Sequence, residues 1–120
     1  MLSDLERLPP YRLYILPDAF YVSTEEKQML KRILRCDGRT ALWIYAPGLW
    51  TDAGLSDEAA TELTGIQLRQ AEVSALPDLR LTTFDTPWTQ GVSPAFRHVA
   101  PARVDPVVYV DDPEATELGR

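Results

Sequence analysis

The chain predicts a single α/β domain, residues 1–120, built on a mostly parallel sheet, and three observations carry that reading. The first is the run from Thr40 to Gly48, in which Leu42, Trp43, Ile44 and Tyr45 follow one another without polar alternation. A continuous apolar run of this kind suits a central strand covered on both faces. The second is the order strand, helix, strand between Tyr11 and Tyr45, which is the pattern of a βαβ unit. The third is the abrupt stop at Pro47-Gly48. Pro47 lacks a ladder donor and Gly48 tolerates backbone angles that other residues avoid, so the chain turns at the carboxyl end of the strand. That end is where doubly wound sheets hold their ligands.

Leu2, Leu5 and Leu8 lie at helical spacing with Asp4, Glu6 and Arg7 between them, so the chain opens on turns of an amphipathic helix that Pro9-Pro10 breaks. Tyr11 to Leu16 has the aromatic and branched content of a strand, and Pro17 ends it. The clearest helix follows. Ser23 and Glu26 form a capping box, Glu25 and Glu26 sit in the first turn, Lys31, Arg32 and Arg35 lie towards the end, and Gly38 supplies a stop. Met29, Leu30, Ile33 and Leu34 give it one apolar stripe, expected to cover a face of the sheet.

After the Gly48 turn, residues 49–55 read as a loop. A second helix starts at the Ser56 cap, has Asp57 and Glu58 in its first turn, buries Ala59, Ala60 and Leu63, and stops at Gly65. Residues 66–70 and 79–84 alternate apolar with polar and read as strands near an edge. Residues 85–103 are rich in Pro, Thr, Ser and Gly around isolated Trp88 and Phe96, which predicts a long ordered loop or short irregular strands. Val107 to Val110 is a last strand, followed by a turn from Asp111 to Ala115.

Composition narrows the function classes. Of 120 residues, 45% are hydrophobic and 25% charged, as in ordinary globular domains. Twelve basic against eighteen acidic residues leave a net charge of -6, which argues against nucleic acid or an anionic membrane as partner. No apolar run is long enough to span a bilayer, and Met1 to Asp4 opens no basic-then-apolar leader, so the chain reads as cytoplasmic. Cys36 and His98 stand alone, too few for a disulfide framework or a structural zinc site. No metal and no cofactor is expected.

A hydrolase or amidotransferase on such a sheet needs a nucleophile in the turn after the central strand, with His and an acidic residue behind it. That turn holds Ala46, Pro47 and Gly48, so no catalytic residue is assigned. Asp85, Asp111 and Asp112 raise the question of paired carboxylates for glycoside hydrolysis or metal binding; Asp111 and Asp112 are adjacent, hence on opposite faces of a strand, and cannot themselves form the facing pair, and Asp112 before Pro113 reads as a turn residue. Gly48 and Gly54 match neither the dinucleotide fingerprint nor a P-loop. Trp43 belongs to the core run, whereas Trp50 in the loop after it suits contact with a sugar ring or a neighbouring domain. The candidate site is therefore the loop of Pro47, Gly48, Leu49, Trp50, Thr51 and Asp52, a contact surface and not a bond-breaking one.

Four stretches, Tyr11 to Phe20, Ala41 to Gly48, Glu62 to Ile66, and Asp111 to Gly119, together resemble the beta-galactosidase trimerisation-like domain. This module of flavodoxin-like, class I glutamine-amidotransferase-like architecture follows the catalytic barrel in glycoside hydrolase family 42 and related glycosidases. The resemblance implies a flavodoxin-like three-layer sandwich, here an incomplete copy, since relatives carry elements before Leu2 and after Gly119. It also implies a non-catalytic accessory or oligomerisation role whose partners are the barrel of the same parent protein or identical subunits, with possible carbohydrate contact. A stand-alone small-molecule-binding module and an amidotransferase-like hydrolase are the rival readings.

Overall fold

The computed structural model of the chain describes residues 2–120. They fall into two compact units, Met1–Leu68 and Arg69–Arg120.

In the first unit a 3-10 helix, Leu2–Arg7, leads to strand β1, Leu13–Leu16. Helix α1, Thr24–Leu34, then returns the chain to β2, Thr40–Trp43, which pairs with β1 in parallel. The predicted capping box is formed. Ser23 Oγ accepts from the Glu26 amide at 3.2 Å, and Glu26 Oε2 accepts from the Ser23 amide at 3.1 Å. Two of the amide donors that a helix start leaves without intrahelical partners are thereby satisfied. The helix ends at Arg35, before the Gly38 turn, and the Arg39 guanidinium donates to the Ile33 carbonyl.

Next come a short hairpin of β3, Trp50–Thr51, and β4, Gly54–Leu55, and helix α2, Asp57–Thr64. Helix α2 starts at the Ser56 cap and ends at Gly65, whose φ of 77° is the left-handed angle expected of a helix-stopping glycine. The core of this unit joins Tyr14, Leu16, Ala19, Val22, Met29, Leu30 and Leu63, with Leu2, Leu5 and Trp43 packed on its margin. Lys31 of α1 reaches Glu62 of α2 at 2.6 Å. Lys31 is also the main reason the Glu62 carboxyl is held below its usual range.

The second unit begins within β5, Leu68–Ala71, which pairs with β8, Val107–Val110. Strand β6, Asp78–Arg80, pairs antiparallel with β7, Arg97–Val99. Arg97 clamps Asp78 through two hydrogen bonds of 2.7 and 2.8 Å. The Arg80 and Arg120 backbones exchange two more, closing a bridge beside Gly119 where a β-carbon would stand 2.6 Å from the Arg80 carbonyl oxygen. Among the described residues of this unit, Thr89 is the one that becomes fully buried.

The expected flavodoxin-like three-layer sandwich on a mostly parallel sheet does not form. The described residues make four two-stranded sheets, β1–β2, β3–β4, β5–β8 and β6–β7, and the last three are not extensions of the first. The physical reason lies in the face pattern of the parallel pair. Tyr14 and Leu16, with Ala41 and Trp43 opposite them, point to α1, while Leu13, Ile15 and Leu42 point away and stay 49–56% exposed. Of the apolar run at 42–45, expected as a buried central strand, Leu42 and Trp43 end the edge strand β2, which is covered on one face only, and Ile44 and Tyr45 lie beyond it. Of the residues read as a strand at 79–84, Leu79 and Arg80 belong to β6, and its partner β7 is a short strand inside the 85–103 segment. Among the described residues no helix is long and apolar enough to cross a membrane.

Candidate functional site

Both parallel strands end in residues with left-handed backbones, Asp18 at φ 55° and Tyr45 at φ 69°. Asp adopts that region with modest penalty, but a bulky aromatic there is uncommon and persists only where its surroundings hold it. Those surroundings are backbone hydrogen bonds. The Ile44 amide donates to the Leu16 carbonyl at 3.3 Å, Gly48 to Ala19 at 2.7 Å, and Trp50 to Phe20 at 3.0 Å, so the loop after β2 is stitched to the segment after β1.

The six predicted loop residues divide into scaffold and surface. Pro47 and Leu49 are among the most deeply buried side chains of the molecule. Gly48, at φ 67°, has no room for a β-carbon, which would meet Leu63 Cδ2 at 2.7 Å. Thr51 closes the β3–β4 hairpin, its Oγ1 donating to the Gly54 carbonyl at 2.8 Å and accepting from the Ala53 amide at 3.2 Å. Trp50 and Asp52 are the two that face outward.

Three residues that sequence reasoning did not select join them. Phe20 stacks with Tyr45, ring centroids 6.0 Å apart and planes at 4°, and meets Trp50 at 5.9 Å and 52°. Tyr21 bridges to Trp50 through its backbone and donates its hydroxyl to Asp52 Oδ1 at 3.1 Å. That hydrogen bond, and next the charge on Asp52, push the Tyr21 phenol above its ordinary pKa, so it stays a neutral donor. The available signal was Phe20-Tyr21 directly after a strand end, with Tyr45 in the apolar run taken for core.

Tyr21 also lines a cleft of about 240 Å³ that has Leu2, Leu5, Ile15 and Leu16 as apolar wall and Asp18 among its polar groups; Phe20, Tyr45, Trp50 and Asp52 are not part of its lining. The arrangement can bind, through aromatic faces and carboxylate acceptors. Cys36 is exposed, its thiol donating to the Arg32 carbonyl, and His98 sits exposed on β7. Among the described residues neither is hydrogen-bonded to an acidic side chain, and no group of three or more His, Cys, Asp or Glu could hold a metal ion.

Elsewhere, Asp112 accepts from the Glu114 amide at 2.9 Å in its turn, and Asp111 pairs with Arg69 at 3.6 Å. Trp88 is 75% exposed in the second unit. No family model, no curated protein and no solved structure matches this chain.

Proposed function

We propose that this chain is a non-catalytic accessory module of a carbohydrate-active enzyme of the beta-galactosidase-like glycoside hydrolase class, acting by docking onto the catalytic barrel of its parent protein or onto identical subunits. The observation that carries the reading is the bare face of the parallel pair. Leu13, Ile15 and Leu42 form one apolar surface, continued by Ile44 at 45% exposure, on a strand pair whose other face is already core. Contiguous apolar surface of this kind marks a contact site more often than a solvated one. A two-stranded sheet also leaves strand edges able to pair. The second unit adds to this, because Val73, Leu79, Val99 and Val110 stay 41–55% exposed there. The four stretches that resemble the trimerisation-like domain supply the enzyme class, and the surface supplies the mode of action.

Two measurements test the reading. An immunoblot of the native polypeptide carrying this segment is expected to run well above 13.5 kDa, with a catalytic barrel in frame; a native species of that mass overturns the accessory role. Sedimentation velocity across about 5–200 μM is expected to show self-association. The Ile15→Lys, Leu42→Lys double variant should abolish it with an unchanged far-ultraviolet spectrum. A chain that is monomeric throughout, or a variant that associates as before, removes this face from the interface.

The aromatic row at the strand ends favours a second mode of action within the same module, ligand contact.

A further inference from the structure

We propose that the carboxyl ends of β1 and β2 form a saccharide-binding site in which the faces of Trp50 and Tyr45 carry a neutral pyranose and Asp52, held by Tyr21, accepts its hydroxyl protons. The choice of galactose below rests on the beta-galactosidase-like reading; the site itself rests on geometry.

Four features point the same way. Tyr45, Phe20 and Trp50 form a continuous row, with centroid spacings of 6.0 and 5.9 Å, in which Tyr45 and Trp50 stay 44% and 51% exposed. Tyr45 takes a left-handed backbone, φ 69°, and its ring, stacked on Phe20, stays partly open to solvent. Strain of this kind collects where a side chain must be aimed. The polar groups beside the row are acceptors or neutral donors. Asp52 has one carboxylate oxygen on the Tyr21 hydroxyl at 3.1 Å, and Asp18 lines the adjoining cleft next to Tyr21.

These features select the ligand class. Carboxylates repel phosphates, nucleotides and acidic sugars. A quaternary ammonium is recognised by rings that enclose it; here Tyr45 and Phe20 lie parallel at 4° against one another and leave no box between them. What remains is a neutral ligand with a flat C–H face and hydroxyl donors, which is a pyranose. The hydroxyl of Tyr21, kept protonated by Asp52, both fixes that acceptor and offers an oxygen to a further sugar hydroxyl.

The test is a ¹⁵N-correlated titration of the full chain that follows its three indole signals, of which Trp43 against the core and Trp88 in the second unit serve as internal references. On addition of β-1,4-galactotetraose the Trp50 signal should move along a saturable curve in the millimolar range, with Trp43 and Trp88 unmoved. Trp50→Ala, followed through the backbone amide signals of Tyr45 and Asp52 in the same spectra, should weaken binding by about tenfold or more, equivalent to about 1.4 kcal/mol. Tyr45→Gly should weaken it as well while keeping the fold, because glycine occupies that backbone angle freely. Saturable binding of cellotetraose in place of galactotetraose supports the saccharide site and removes the galactosidase-like parent. No saturable shift with either up to about 20 mM overturns the site. So does a Trp50 response to tetramethylammonium or inorganic phosphate instead, or undiminished affinity in both variants. The self-association measured by sedimentation stands or falls separately, since it reads the Leu13, Ile15 and Leu42 face.

Discussion

Gly48→Ala and Gly38→Ala form a matched pair that separates backbone strain from packing. Both glycines occupy the left-handed region, at φ 67° and 75°. A side chain there costs about 1–2 kcal/mol, and the reduced freedom of the unfolded chain returns about 0.4–1 kcal/mol, so each replacement loses on the order of 0.5–1 kcal/mol from the backbone alone. At Gly38 nothing lies within 4 Å of the added carbon. At Gly48 the carbon meets Leu63 Cδ2 at 2.7 Å, Leu63 Cβ at 3.3 Å and the Ala59 carbonyl oxygen at 3.6 Å. Leu63 is 4% exposed within the core and cannot swing out to solvent. Overpacking of a filled core costs about 1–3 kcal/mol, so Gly48→Ala should destabilise by about 1.5–4 kcal/mol in all.

Urea unfolding followed at 222 nm is the assay, because both α-helices belong to the first unit. Leu63→Ala should cost less in the Gly48→Ala background than in the native one, with a coupling energy of about 1–3 kcal/mol. If the two glycine variants agree within about 0.5 kcal/mol, or the coupling is absent, the packing argument is refuted and Gly48 is there for its backbone angle alone.

Ser23→Ala removes one half of the capping box and leaves the Glu26 amide without its acceptor. A loss of about 1 kcal/mol in the same unfolding assay is expected, and an unchanged midpoint would mean that packing alone starts α1. Asp78 titrates below its ordinary value of 3.8, chiefly because Arg97 donates to it. A carboxyl with a depressed folded pKa contributes stability that is present above the unfolded value and lost as pH falls through the folded one. The β6–β7 pairing should therefore loosen only below pH 3.8. Carboxyl-detected NMR should place the Asp78 midpoint beneath that of a model peptide, and Arg97→Gln should return it to the usual range; a midpoint insensitive to Arg97 would contradict the assignment.

Phe20, Tyr21 and Tyr45 illustrate why the candidate site was half legible. Trp50 and Asp52 could be selected because a turn after an apolar run is a short-range signal, readable from Pro47 and Gly48 alone. Their partners could not, since Phe20 and Tyr21 stand some thirty positions earlier in the chain. The parallel register of β1 with β2 and the Gly48–Ala19 and Trp50–Phe20 hydrogen bonds bring them alongside. Pro47, Gly48 and Leu49 are the buried part of the same loop. They anchor it, because what a turn residue packs against is invisible until α2 and Leu63 are in position.

The sequence by itself determined the local elements: the Ser23 and Ser56 caps, the Gly65 stop, the break at Pro17, and strands near 13–16, 40–43 and 107–110. The caps, the stop and the break depend on hydrogen bonds and backbone angles settled within about four residues, and the strand segments show in their local apolar and branched content. Only the tertiary structure decided that Leu42 lies on an uncovered face, that β6 and β7 pair with each other, and that the apolar run ends at a strained Tyr45 in place of a core strand. Apolar character states that a side chain gains by burial, and the number of partner strands and helices that long-range contacts bring to it decides whether that burial is realised.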